Sequence, residues 1–199
     1  MKRIGIYGGT FSPPHLGHYQ ALYAFVAQEQ LDEILVIPTN IPPHKTADGE
    51  ASAEARLAMC RLAFADLSVT VSDREIRRGG TSYTALTLNE LKKDDVTLIF
   101  LCGTDMFMSM DTWYRHEEIF ALAEIVYATR EEDGHMQPAL AEKATHYKEK
   151  YGATVRPLSS NVVEISSTEL RKAIEAGEDT PFLSPQVKEY IRKWRLYQK

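Results

Sequence analysis

Cysteine is scarce: the 199-residue chain has two, Cys60 and Cys102. Two thiols can neither build a disulfide scaffold nor fill a structural zinc site, so the fold must rest on its core. Long apolar runs are missing as well. The longest, at residues 21–27, is seven residues, against roughly 20 for a bilayer-crossing helix. Glycine (11) and proline (9) are too few for a collagen-like or disordered composition. Positive charge is in deficit, because 23 Lys and Arg against 28 Asp and Glu leave a net charge of -5. Wholesale binding of duplex nucleic acid needs a positive field and is not expected. The basic start Met1-Lys2-Arg3 leads into an apolar stretch that halts at Gly8-Gly9, too short for a secretory signal. These absences predict a cytoplasmic protein with neither membrane nor nucleic acid among its partners. They leave a homo-oligomer open.

What is present is an ordinary globular composition, 44% hydrophobic and 26% charged. A chain of this length buries roughly 70% of its unfolded surface, enough for a core without staples. Short apolar runs at residues 4–7, 34–37, 69–71, 97–102 and 125–129 read as strands, with 154–157 extended. Between them lie helical patterns. One carries Leu16, Tyr19, Tyr23 and Val26 at helical spacing, with Leu22 and Phe25 beside them. Others cover residues 52–66, 83–93 and 138–151, and two more close the chain. Strands separated by helices predict an α/β fold: a Rossmann-like doubly wound parallel sheet with helices on both faces. No repeat or linker divides it, so residues 1–199 are expected to form a single domain, with a C-terminal helical segment from about 166 packed on it. That segment ends in an amphipathic helix bearing Val187, Tyr190, Ile191 and Trp194 on one face.

The first strand-to-helix turn reads Gly8-Gly9-Thr10-Phe11-Ser12-Pro13-Pro14-His15-Leu16-Gly17-His18. It has neither the spacing of the dinucleotide G-x-G-x-x-G fingerprint nor the Gly-Lys-Ser/Thr of a Walker A loop. Gly8 and Gly9 let backbone approach a ligand, and the following helix offers free N–H groups to an anion. His15 and His18 stand three apart on the same side of its first turn. Two histidines without an evident third ligand do not make a metal site, and none is expected. Near the other end of the chain, Ile165-Ser166-Ser167-Thr168-Glu169-Leu170-Arg171 fits a capped helix start with a guanidinium one turn in.

Together these two motifs resemble the signatures of the H-x-G-H nucleotidyltransferases. Further segments resemble one branch, the bacterial nicotinate-nucleotide adenylyltransferases: Pro38-Thr39-Asn40-Ile41-Pro42-Pro43-His44-Lys45, Arg56-Leu57-Ala58-Met59, Ser82-Tyr83-Thr84, Gly103-Thr104-Asp105 and Trp113-Tyr114. The resemblance covers essentially the whole chain. It departs at Ser12, where that family more often has Asp, and at Arg130-Glu131-Glu132, where Pro-Gly usually follows the arginine.

The resemblance implies adenylyl transfer from ATP to nicotinate mononucleotide, with Mg²⁺ bound through the ATP phosphates. ATP would meet Gly8, Gly9, Thr10 and Phe11 of the turn, His15 and His18 at its end, Gly103 and Asp105 after the central strand, and Ser166, Ser167 and Arg171. Of these, His15, His18 and Arg171 would be catalytic. The mononucleotide would meet Asn40, His44 and Lys45 at its phosphate, and Tyr83, Thr84 and Trp113 at its pyridine ring. An oxidoreductase lacks its glycine fingerprint here, and the pantetheine-phosphate relatives do not explain the 40–45 loop or Trp113.

Overall fold

The computed structural model describes residues 1–43, 50–130, 136–163 and 165–198. Its centre is β4 (Val96–Gly103, VTLIFLCG), a run apolar on both faces, as a strand covered by helices on both sides must be. Side chains alternate across it: Leu98, Phe100 and Cys102 enter one core and Ile99 and Leu101 the other. Around β4 lies a six-stranded parallel sheet in the order β3-β2-β1-β4-β5-β6. The strands are β1 (Lys2–Gly9), β2 (Glu33–Pro38), β3 (Thr70–Val71), β4, β5 (Ala123–Arg130) and β6 (Val155–Val162). In β1, Ile6 sits opposite Leu35 on one side and Phe100 on the other. The extended segment at 154–157 is part of β6, and its Pro157 is tolerated because β6 stands at the sheet edge.

The order reverses between β1 and β4, so the connections diverge there and a crevice opens at the strands' carboxyl ends. Helices α1 (Leu16–Gln28) and α2 (Ala53–Ala63) follow β1 and β2, and α3 (Arg74–Arg78) and α4 (Thr84–Leu91) precede β4. Beyond β4 come α5 (Thr104–Ser109), a 3-10 turn at Met110–Thr112, α6 (His116–Leu122) and, between β5 and β6, α7 (Gln137–Tyr151). The three helices of five to seven residues, α3, α5 and α6, are too short to leave a periodicity that the sequence pattern reveals.

The inward face of α1 differs from the expected stripe. Gly17, Ala21, Leu22, Ala24 and Phe25 are buried, whereas Leu16 is 39% and Tyr23 58% exposed. Close packing decides this. A Cβ at Gly5 of β1 would stand 2.7 Å from the Phe25 ring and 2.6 Å from Leu31, so the missing side chain on the strand makes room for the Phe25 ring of the helix. Tyr19 and Tyr23 stack on the outer side, 6.3 Å between centroids.

The last two helices, α8 (Ser167–Glu175) and α9 (Pro185–Trp194), form a third cluster with α2, in which Met59, Leu170, Leu183, Val187 and Ile191 are buried. Each such side chain contributes about 1.5–3 kcal/mol on full burial. Trp194 turns out to be mostly exposed, and the docking face is carried by Val187 and Ile191. No helix among the described residues is long and apolar enough to cross a membrane.

Candidate active site

A cavity of about 640 Å³ opens at the carboxyl ends of β1 and β4. Its floor is glycine: Gly8 and Gly9 end β1, Gly103 ends β4, and nothing lies within 4 Å of a Cβ placed at Gly103. The turn after β1 is wedged from below by Phe11, held in left-handed backbone at φ 51°. Its ring lies against the Gly9 backbone, edge-on to Tyr7 (5.3 Å), Phe64 (6.0 Å) and His18 (5.0 Å). Phe11 touches the cavity, yet its buried ring supports the turn from beneath.

His15 caps α1 with extended backbone, and its N–H donates to His18 Nδ1 at 3.2 Å. The two imidazoles lie 3.7 Å apart between centroids. Gly17 between them is required by the chain itself: a Cβ there would stand 2.8 Å from the Val163 carbonyl oxygen, just after β6.

Facing them, Ser166 caps α8 by accepting the Glu169 N–H at 3.4 Å. Arg171 donates from Nη1 to Ser12 O at 2.8 Å and from Nη2 to Thr168 Oγ1 at 3.2 Å. Ser167 Oγ reaches Pro13 O at 3.5 Å. The two motifs separated by most of the chain therefore close one cavity wall. Asp105, exposed in the first turn of α5, stands on the β4 side.

The other end of the cavity is aromatic. Trp113 follows the 3-10 turn and meets Phe100 edge-to-face at 6.4 Å, and Tyr83 and Tyr114 lie 4.5 Å apart. Thr84 opens α4, whose N-cap Tyr83 provides no side-chain cap. Of the sequence-predicted site residues, the glycines, Thr10, Phe11, His15, His18, Asp105, Ser166, Ser167 and Arg171 line the cavity, as do Tyr83, Thr84 and Trp113. Asn40 is not among the lining residues. Its Nδ2 donates to Gly80 O at 2.9 Å and its N–H to Ser82 Oγ at 2.8 Å, stitching two loops together. His44 and Lys45 lie outside the described residues, as does the Arg130 side chain.

Three contributors were missed. Arg56 is buried, and its guanidinium reaches Thr10 O (2.8 Å), Asn40 O (2.8 Å), Ala51 O (3.1 Å) and Thr39 Oγ1 (3.3 Å). The signal was available: spacing places it on the same stripe of α2 as Met59 and Cys60. Glu75 lines the cavity wall at 6% exposure. Its Oε1 accepts the Thr87 hydroxyl at 2.5 Å with Arg78 3.8 Å away, while Oε2 has no hydrogen-bond partner among the described residues. Tyr197 touches Ser12, a contact no local pattern announces. Burial pushes the thiols of Cys60 and Cys102 well up, so neither is a thiolate nucleophile at neutral pH.

The strand order and the glycine-floored cavity at its switch point define a Rossmann-like α/β protein with imidazole and guanidinium groups on the cavity wall. A model of the cytidylyltransferase-like family matches residues 6–173. A protein of Desulfatibacillum aliphaticivorans named "Probable nicotinate-nucleotide adenylyltransferase" is 36% identical over 214 residues, covering 98% of this chain and 99% of its own. One of the same name from Synechococcus sp. (strain JA-3-3Ab) is 38% identical over 205 residues, covering 99% and 95%. The chain belongs to the cytidylyltransferase-like family and, within it, to the nicotinate-nucleotide adenylyltransferases. The solved Plasmodium falciparum nicotinic acid mononucleotide adenylyltransferase complexed with NaAD superposes with a TM-score of 0.76 at 19% identity, covering 99% of this chain and 98% of its own. At that identity the likeness speaks for the fold.

Proposed function

We propose that this cavity transfers the adenylyl group of ATP to nicotinate mononucleotide, giving the adenine dinucleotide and pyrophosphate. The observation that carries the reading is the meeting of His15, His18 and Arg171 on one cavity whose far end is lined by Trp113. A phosphate oxygen of the mononucleotide attacks the α-phosphorus of ATP, and the bond from that phosphorus to the bridging oxygen of pyrophosphate breaks. The attacking oxygen is already anionic at neutral pH, so no general base is needed. The protein's task is to hold two anions in line and to stabilise the charge that grows on the α-phosphoryl and leaving oxygens.

His18 is suited to that task. With Nδ1 accepting the His15 N–H, the proton of the neutral ring sits on Nε2, available to a phosphoryl oxygen. His15 flanks it, and Arg171 with the amides at Ser166 and Ser167 receives the triphosphate tail. Gly8, Gly9, Thr10 and Gly103 admit the nucleotide's backbone, with Asp105 accepting from a ribose hydroxyl. Trp113 stacks on the pyridine ring beside Tyr83, and the Thr84 N–H meets the ring carboxylate. His44 and Lys45, with Asn40 shaping the neighbouring loop, supply charge for the mononucleotide phosphate. The donors at the phosphate end are imidazoles, a guanidinium and hydroxyls, which fit phosphate oxygens better than the hard Mg²⁺ ion, whose ligands are carboxylates, phosphates and waters. Mg²⁺ therefore fits as a passenger of ATP, neutralising phosphate charge while keeping most of its waters.

A coupled pyrophosphate assay comparing nicotinate and nicotinamide mononucleotides side by side tests the reading. Release with the acid well above the amide is expected, and no release with either would overturn it.

A further inference from the structure

The segment after α9 folds back beneath the turn that follows β1. Arg195 and Tyr197 both hold left-handed backbone, at φ 49° and 61°, a conformation uncommon for residues with side chains. Two such residues within three positions are retained only where surrounding contacts hold them. Leu196 N–H donates to Ile191 O at 3.0 Å, closing the end of α9, and Leu196 and Tyr197 pack on the cluster of Met59, Leu170 and Val187. The reversal delivers the Tyr197 hydroxyl to Ser12 Oγ at 3.1 Å.

Ser12 is a junction. It is 1% exposed, and its Oγ also accepts the Ala51 N–H at 3.4 Å, ahead of α2. Its carbonyl accepts from Arg171 Nη1 at 2.8 Å. One residue of the turn thus meets α8, the approach to α2 and the segment after α9. Burial pushes the Tyr197 hydroxyl up to about 12 against the pull of its Ser12 bond and of Arg171 and Arg56, so it stays a neutral hydrogen-bonding group. Ser12 accepts from Ala51 at its hydroxyl and from Arg171 at its carbonyl, and shares with Tyr197 a hydroxyl–hydroxyl bond in which either oxygen can donate.

We infer that Tyr197 is a positioning residue for the phosphate end of the cavity, fixing through Ser12 the carbonyl that orients the Arg171 guanidinium. The inference rests on the reading of that end as the ATP site. It gives Ser12 a use at this position: a serine hydroxyl can bond the tyrosine whichever of the two donates. Tyr197 touches no reacting atom and acts through Ser12 alone.

Tyr197→Phe keeps the ring and deletes only the hydroxyl, and Ser12→Ala deletes its partner. The full chain carrying each change, and both, is compared with the unaltered chain by calorimetry with ATP alone and by steady-state kinetics. Each single variant is expected to weaken ATP binding a few-fold to about tenfold, the scale of one lost hydrogen bond between neutral groups. The double variant should be no weaker than Ser12→Ala alone, because Tyr197→Phe then has no Ser12 bond left to remove. The KM for the mononucleotide should not move, which separates positioning of the phosphate end from general loosening. Unchanged ATP affinity in Tyr197→Phe, additive losses, or equal losses for both substrates would overturn the inference. Should Ser12→Ala fail to fold, the ratio of the Tyr197→Phe effects on the two substrates decides alone. If the unaltered chain fails to bind ATP, the assignment of the cavity falls instead, and the two failures are told apart.

Discussion

The backbone N–H of His15 donates to Nδ1 of His18 at 3.2 Å, while the two rings lie 3.7 Å apart. This bond fixes which edge of the His18 ring carries its proton. His18→Ala should lower kcat by about 10²–10³-fold, the cost of removing one donor to a developing oxyanion. The fold should survive, since the ring is only half-buried. His18→Gln, whose amide reaches about as far as Nε2, should recover part of the loss. Steady-state kinetics beside circular dichroism checks this, and a folded His18→Ala with near-normal turnover would remove His18 from the mechanism.

Trp113 is half-buried against the core, edge-to-face with Phe100, and also lines the cavity. Replacing it with alanine should raise the KM for the pyridine nucleotide about tenfold, as stacking on one base is worth about 1–3 kcal/mol. The KM for ATP should stay put. An unchanged pyridine-nucleotide KM would exclude the indole from the binding surface.

Gly17→Ala tests the packing of α1 on the chain after β6. The added methyl would stand 2.8 Å from a backbone oxygen, which cannot rotate away. Urea unfolding should show a loss of about 1–3 kcal/mol, the usual scale of overpacking. A neutral result would mean that α1 can slide along the sheet.

Arg56→Leu removes the guanidinium and leaves Thr10 O, Asn40 O and Ala51 O without it. Each buried acceptor left unpaired costs about 1–3 kcal/mol, so a loss of at least about 3 kcal/mol is expected even with some water entry. Arg56→Lys should recover only part of it, because one ammonium cannot span these acceptors. Unfolding midpoints of the two variants, measured together, decide the point.

At the opposite end of the sheet, Glu29 accepts from Arg156 at 2.7 Å and 2.9 Å and from Arg3 at 3.2 Å. The Arg156 hydrogen bonds hold its carboxyl below the ordinary 4.5. A carboxyl depressed in the folded chain contributes stability above its unfolded value, and that contribution fades as pH falls through the folded value. Between pH 6 and pH 3 the unaltered chain should therefore lose more stability than Glu29→Gln. Parallel pH profiles of the two would show the network to be inert.

Much of this architecture is legible in the residues. The run from Thr97 to Cys102 reads as a doubly covered strand, and the alternation of apolar segments with helical ones implies a parallel sheet. The face of α1 was not legible, because Gly17, Ala21 and Ala24 are chosen for closeness to the sheet and carry little hydrophobic signal. Short α5 and α6 left no period to read. At the cavity, His15, His18 and Arg171 stand in compact motifs, whereas Arg56 and Tyr197, behind its wall, owe their roles to contacts with segments remote along the chain. Asn40 shows the converse: a residue in a conspicuous loop whose side chain is spent on Gly80 O.

The Arg171–Ser12 bond joins residues 159 positions apart. A ribosome adding about 5–20 residues each second needs on the order of 10–30 s to travel from one to the other. During that interval the glycine turn can emerge and even pack, but its cationic cover does not yet exist. A nascent or prematurely ended chain is thus left with one of the two motifs, and the cavity wall closes only late in synthesis.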